Sequence, residues 1–70
     1  MSDAPKITYP DVTVQLTGQD GNAFNIIGLV REAIRDEEGE TEAKAWTMAA
    51  MMCGSYDELL FLAQTTVHVI

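Results

Sequence analysis

The sequence predicts an α+β domain of order β-α-α-α-β, and three observations carry that prediction. An alternating run, Val12-Thr13-Val14-Gln15-Leu16-Thr17, stands near one end, and a second, Thr65-Thr66-Val67-His68-Val69-Ile70, stands at the other. Between them the apolar residues follow helical spacing, broken only by glycines and acidic residues. The two terminal strands are expected to pair and to be covered on one face by three helices. Alternation confined to one face suits antiparallel pairing, which is also the commoner arrangement, so an antiparallel pair is expected.

Residues 1–10 are polar, contain both prolines and lack periodicity, which predicts a flexible N-terminal arm before a single domain over 11–70. In the strand predicted over 11–17, Val12, Val14 and Leu16 share the covered face, and Thr13, Gln15 and Thr17 point the other way. Gly18-Gln19-Asp20-Gly21-Asn22 then turns the chain into a helix over 23–36. There Ala23, Ile27, Val30 and Ile34 align, flanked by Phe24, Ile26 and Ala33, with Leu29 near the polar side. Gly28 within this helix costs roughly 1 kcal/mol relative to alanine, which predicts that another backbone approaches there.

The acidic run after Asp36 is expected to be an exposed, mobile loop, with Thr41 as N-cap of a second helix over 42–53. Trp46, Ala49, Ala50 and Cys53 form its predicted core stripe, and Gly54 stops it. Ser55-Tyr56-Asp57-Glu58 has the spacing of a capping box and opens a third helix. Its inner stripe is Tyr56, Leu59, Leu60 and Ala63, while Phe61 falls beside Asp57 on the acidic side.

Two stretches also carry a resemblance. These are Leu16-Thr17-Gly18-Gln19-Asp20-Gly21-Asn22-Ala23-Phe24, with Gly28 and Arg31 after it, and Gly54-Ser55-Tyr56-Asp57-Glu58-Leu59-Leu60 before a valine-rich end. With them the chain resembles, over nearly its full length, a family of small proteins of bacteria and their phages with no established activity. The resemblance implies a shared fold and no mechanism.

In a domain of 70 residues the core rarely supplies more than ~3–5 kcal/mol net. One cysteine and one histidine exclude an internal disulfide and a zinc set, which leaves association as the remaining source of stability. A net charge of −7 opposes binding to phosphate backbones or anionic lipid. No apolar run approaches the ~20 residues of a membrane span, and the first residues lack the order of a secretory signal, so a cytoplasmic location is expected. The expected partners are a second copy or another protein, with no direct nucleic-acid contact, no membrane and no cofactor.

Candidate chemistry is sparse. Gly18, Asp20, Gly21 and Asn22 mark a strand-to-helix corner where glycines and free helix amides suit a small ligand or an anion. The G-x-x-G spacing matches neither a dinucleotide fingerprint nor a Walker A loop, and in the competing reading Asp20 or Asn22 caps those amides. Asp36, Glu37, Glu38, Glu40 and Glu42 place five carboxylates within seven residues, without the order of a calcium loop. They read as a solvated charge run, or as a mimic of phosphates. His68 belongs to the outer face of the last strand, with no partners for a triad. Cys53 reads as a small buried hydrophobe, and Arg31 as cover for Phe24 or partner to an acid.

The methionine-rich helix stands out. Met48, Met51 and Met52, with Leu29 and Phe61, exceed what three short helices need for a core, so they predict either an adaptable contact surface or a loosely filled interior. The open strand edge adds Val67 and Val69 to the expected interaction surface. The sequence therefore points to a non-enzymatic protein–protein interaction module that self-associates. The alternatives are a ligand or anion module at the 18–22 corner and an acidic regulator of a basic, nucleic-acid-binding protein.

Overall fold

A computed structural model describes residues 7–18 and 21–70. Residues 1–6 of the expected arm, and Asp20 of the expected corner site, lie outside the described residues. The elements are β1 (Tyr9–Val14), α1 (Ala23–Glu38), α2 (Glu40–Met51), α3 (Tyr56–Thr66) and β2 (Val67–Val69), in the predicted order.

The strands pair in parallel, against the antiparallel expectation. The reason lies in what separates them. The start of α1 (Ala23, Phe24, Ile27) lines one cavity with the end of α2 (Ala50, Met51) and the start of α3 (Tyr56, Leu59), so α1 and α3 begin at the same end of the molecule and α2 finishes there. Three helical passes are an odd number, so the chain re-enters β2 at the end where β1 began. At that end the Thr8 amide donates to the Thr65 carbonyl at 3.0 Å. At the other end the Leu16 amide donates to the Ile70 carbonyl at 2.8 Å, and the Ile70 amide to the Val14 carbonyl at 2.9 Å. A long helical crossover is what parallel strands require, whereas the alternation along each strand reports only that one face is covered.

Element boundaries shift for local reasons. β1 starts at Tyr9 and includes Pro10, which falls in the irregular stretch between the Tyr9–Val67 and Thr13–His68 pairs, where a missing N–H breaks no ladder bond. The acidic run is no loop. α1 continues to Glu38 because glutamate is a good helix former, and Gly39 alone separates the helices with φ 102° and ψ 168°, a region open to glycine. The Gly39 amide closes α1 on the Arg35 carbonyl at 3.0 Å, and the Gly39 carbonyl opens α2 by accepting from the Ala43 amide at 3.1 Å. The N-cap of α2 is thus Gly39, not Thr41, and Glu40 and Glu42 in the first turn complement the helix dipole instead of a side-chain cap.

Packed against α1, α2 buries Ala43, Trp46 and Ala50, while Ala49 faces solvent and Cys53 is half-buried. α3 also runs further than expected, to Thr66. The hydroxyls of Thr65 and Thr66 both donate to the Leu62 carbonyl, at 3.1 and 2.6 Å, which accommodates two β-branched residues in the last turn. The capping box forms: Ser55 Oγ accepts from the Glu58 amide at 3.2 Å, and the Glu58 carboxylate reaches back to the Gly54 amide at 2.9 Å.

The core collects Val12 and Val14 from β1, Val67 from β2, Ile26, Ile27, Val30 and Ile34 from α1, Ala43, Trp46 and Ala50 from α2, and Leu59 and Ala63 from α3. α1 packs on β1 and α3 on β2, while α2 packs on α1 and reaches α3 through Trp46. Gly28 does not serve a close approach, since a Cβ built there meets nothing within 4 Å.

Candidate functional site

The corner between β1 and α1 is a capped helix start. Gly18 takes the positive φ of 81°, and Asn22 is the N-cap, its Oδ1 accepting from the Phe24 amide at 2.8 Å. The Phe24 amide, one of those an anion would seek, is therefore already bonded. Gly21 is held from across the fold: its carbonyl accepts from the Tyr56 hydroxyl at 2.6 Å. The four expected corner residues thus divide into the turn glycine Gly18, the tethered Gly21, the cap Asn22, and Asp20 outside the described residues.

The acidic residues do not converge. Glu40 faces Arg31 at 3.6 Å, Glu32 pairs with Arg35 at 3.1 Å, and Glu42 accepts from the Tyr9 hydroxyl at 2.5 Å. Among the described residues no group of carboxylates, histidines or cysteines is arranged to hold a metal ion. The bond to Glu42 raises the Tyr9 pKa above its ordinary 10.0; partial burial and the charges of Glu42 and Glu38 act in the same direction. His68 is exposed on β2 opposite Thr13, as its place in the alternation predicts.

What does converge is apolar. Met48, Met51 and Met52 of the α2 region are 62, 59 and 85% exposed, so none of them fills the interior. At the end of the molecule where α1 and α3 begin, Met51 meets Phe24, Tyr56 and Cys53 around a cavity of about 280 Å³ floored by Ile27 and Leu59. Phe24 is 73% exposed on its rim. An open groove of about 450 Å³ continues from Cys53 along one face of α3, where Asp57 and Glu58 are followed one turn on by Phe61 and Leu62 and then by Thr65. Phe61 itself is 61% exposed.

This face includes Met51 and Phe61 of the expected surface and adds Phe24, Cys53 and Tyr56. Phe24, expected to flank the core stripe of α1, and Tyr56, expected on the inner stripe of α3, are instead exposed, because the buried side of α1 is Ile26, Ile27, Val30 and Ile34 and that of α3 is Leu59, Ala63 and Thr66. Met48 is exposed but lines neither cavity, and Leu29 is half-buried against the core. The strand residues do not belong to the face. Val67 is fully buried in the core because odd positions of β2 point inward, so its side chain offers nothing to a partner, and Val69 is half-buried by the same alternation.

Fold and surface define a small α+β domain with a parallel two-stranded sheet, three covering helices and an apolar face at one end. Among the described residues no helix is long and apolar enough to cross a membrane. No protein-family model, no curated protein and no solved structure matches the chain.

Proposed function

We propose that this chain is a non-enzymatic protein–protein interaction module whose docking surface is the face formed by Phe24, Met51, Tyr56 and Phe61. The observation that carries this reading is the exposure of large apolar side chains around two adjoining cavities, in a chain whose charge otherwise favours solvent. Contiguous apolar surface of this kind is costly to leave in water and characterises contact sites. Methionine suits such a site because its unbranched, polarisable side chain adapts to the shape it meets.

Self-association through this face is one way to cover it. Two chains of net charge −7 repel, so burial of apolar surface must drive such a dimer, and added salt must strengthen it. Sedimentation equilibrium at low and high ionic strength tests this, on the native chain and on the Met51→Glu, Phe61→Glu double variant. Association that rises with salt and is abolished by the double substitution supports a dimer through the helices. Association that survives both substitutions moves the contact to the open strand edges, and a monomeric mass at high micromolar concentration leaves a different protein as the partner.

A further inference from the structure

We infer that the groove along α3 is built for a basic amphipathic helix of another protein, an inference that rests on the docking reading above. Its lining consists of Cys53, Asp57, Glu58, Phe61, Leu62 and Thr65, so the charges on it are both negative. Asp57 and Phe61 stand four residues apart on α3, one helical turn, which sets a carboxylate and an exposed aromatic ring side by side along the groove. A ligand that fills it must present apolar side chains to Phe61 and Leu62 and a cation to Asp57 within the same turn. An amphipathic helix with leucine-like residues at i, i+3, i+4 and i+7 and lysine or arginine at its flanks does so.

Charge selects this occupant over a second copy. In a two-fold dimer each partner presents the same patch, so a groove whose only charged lining residues are Asp57 and Glu58 would bring carboxylates from both chains together with no cation from either lining. Arg31 and Arg35 on α1 face Glu40 and Glu32, and neither they nor Lys44 on α2 line the groove. Asp57 makes no ion pair among the described residues, so its charge is available to an incoming cation. Glu58 contributes one carboxylate oxygen to the Gly54 amide and retains the other.

The test uses the full chain and a synthetic helical peptide of leucine and lysine at that spacing, with a counterpart in which every lysine is glutamate. The readout is amide chemical-shift change together with the dissociation constant. The lysine peptide should move Cys53, Asp57, Phe61, Leu62 and Thr65, and the glutamate peptide should leave them unmoved. Phe61→Ala, at an exposed position, should weaken binding on the order of tenfold, as for an aromatic anchor. Asp57→Asn should weaken it several-fold and flatten its salt dependence, while Asp36→Asn with Glu37→Gln, remote from the groove, should change neither. Shifts centred on the acidic turn around Gly39, or an affinity indifferent to Phe61→Ala, would overturn the inference by showing unspecific charge attraction. Binding of the glutamate peptide at the same residues would also overturn it, yet would leave the docking surface standing. No binding of either peptide, with self-association lost in the double variant above, would assign the groove to a second copy.

Discussion

The indole N–H of Trp46 donates to the Thr66 hydroxyl oxygen at 3.0 Å, and both residues are buried. The Thr66 hydroxyl in turn donates to the Leu62 carbonyl at 2.6 Å, so one side chain satisfies the only polar side-chain group of the largest core residue and ties itself to the last turn of α3. The relay fixes α2 to α3 at the point where α3 becomes β2.

Two substitutions separate the two parts of this contact. Trp46→Ala removes the ring and should cost ~3–5 kcal/mol, enough to unfold much of a domain this size. Thr66→Val keeps the shape and leaves the indole N–H buried without a partner, for ~1–3 kcal/mol. Urea titrations followed by far-UV circular dichroism measure both. Native tryptophan emission at the wavelength of exposed indole would contradict the burial of Trp46, and a neutral Thr66→Val would show that the relay contributes nothing.

Gly28 within α1 and Gly39 between α1 and α2 should respond in opposite directions to alanine. Gly28 lies in regular helix with open space where a Cβ would stand, so Gly28→Ala should stabilise by ~0.5–1 kcal/mol. Gly39 holds φ 102° with no side-chain clash, so Gly39→Ala should cost ~1–3 kcal/mol from backbone strain alone. Thermal melts of the two variants check the pair. A destabilised Gly28→Ala would mean that something approaches α1 there after all.

Gly21 is constrained by its neighbour, since a Cβ would sit 3.3 Å from the Tyr56 hydroxyl oxygen that bonds the Gly21 carbonyl. Gly21→Ala should therefore cost ~0.5–1.5 kcal/mol by displacing that bond, and most of this cost should vanish in a Tyr56→Phe background. Equal costs in both backgrounds would place the strain in the turn itself.

Alkaline pH should loosen the contact between β1 and α2. The Tyr9 proton is held more tightly in the folded chain than in the unfolded one, because the phenol donates to Glu42. That stabilisation is fully present below the unfolded value near 10 and is lost as pH rises through the higher folded value. The native chain should therefore lose melting temperature more steeply above about pH 10 than Tyr9→Phe does, since the variant has no such proton to lose. Parallel pH profiles for the two chains would exclude the contribution.

The sequence by itself determined what depends on near neighbours. It placed five elements in order, set Val12 and Val14 against Thr13 on opposite faces of β1, and identified the capping box at Ser55, because these follow from side-chain spacing and local hydrogen bonds. It also identified the surplus of methionine, since α2 is too apolar all round to hide in so small a core. Tertiary structure decided the rest. Strand direction depends on the number of passes between the strands, which no strand residue encodes, and the face that α2 buries depends on how it packs against α1. The exposed apolar face likewise draws Phe24, Met51 and Phe61 from three helices that come together only after the chain has reversed twice. Packing between segments far apart in the chain settles such features, because the energy that selects them does not exist until those segments touch.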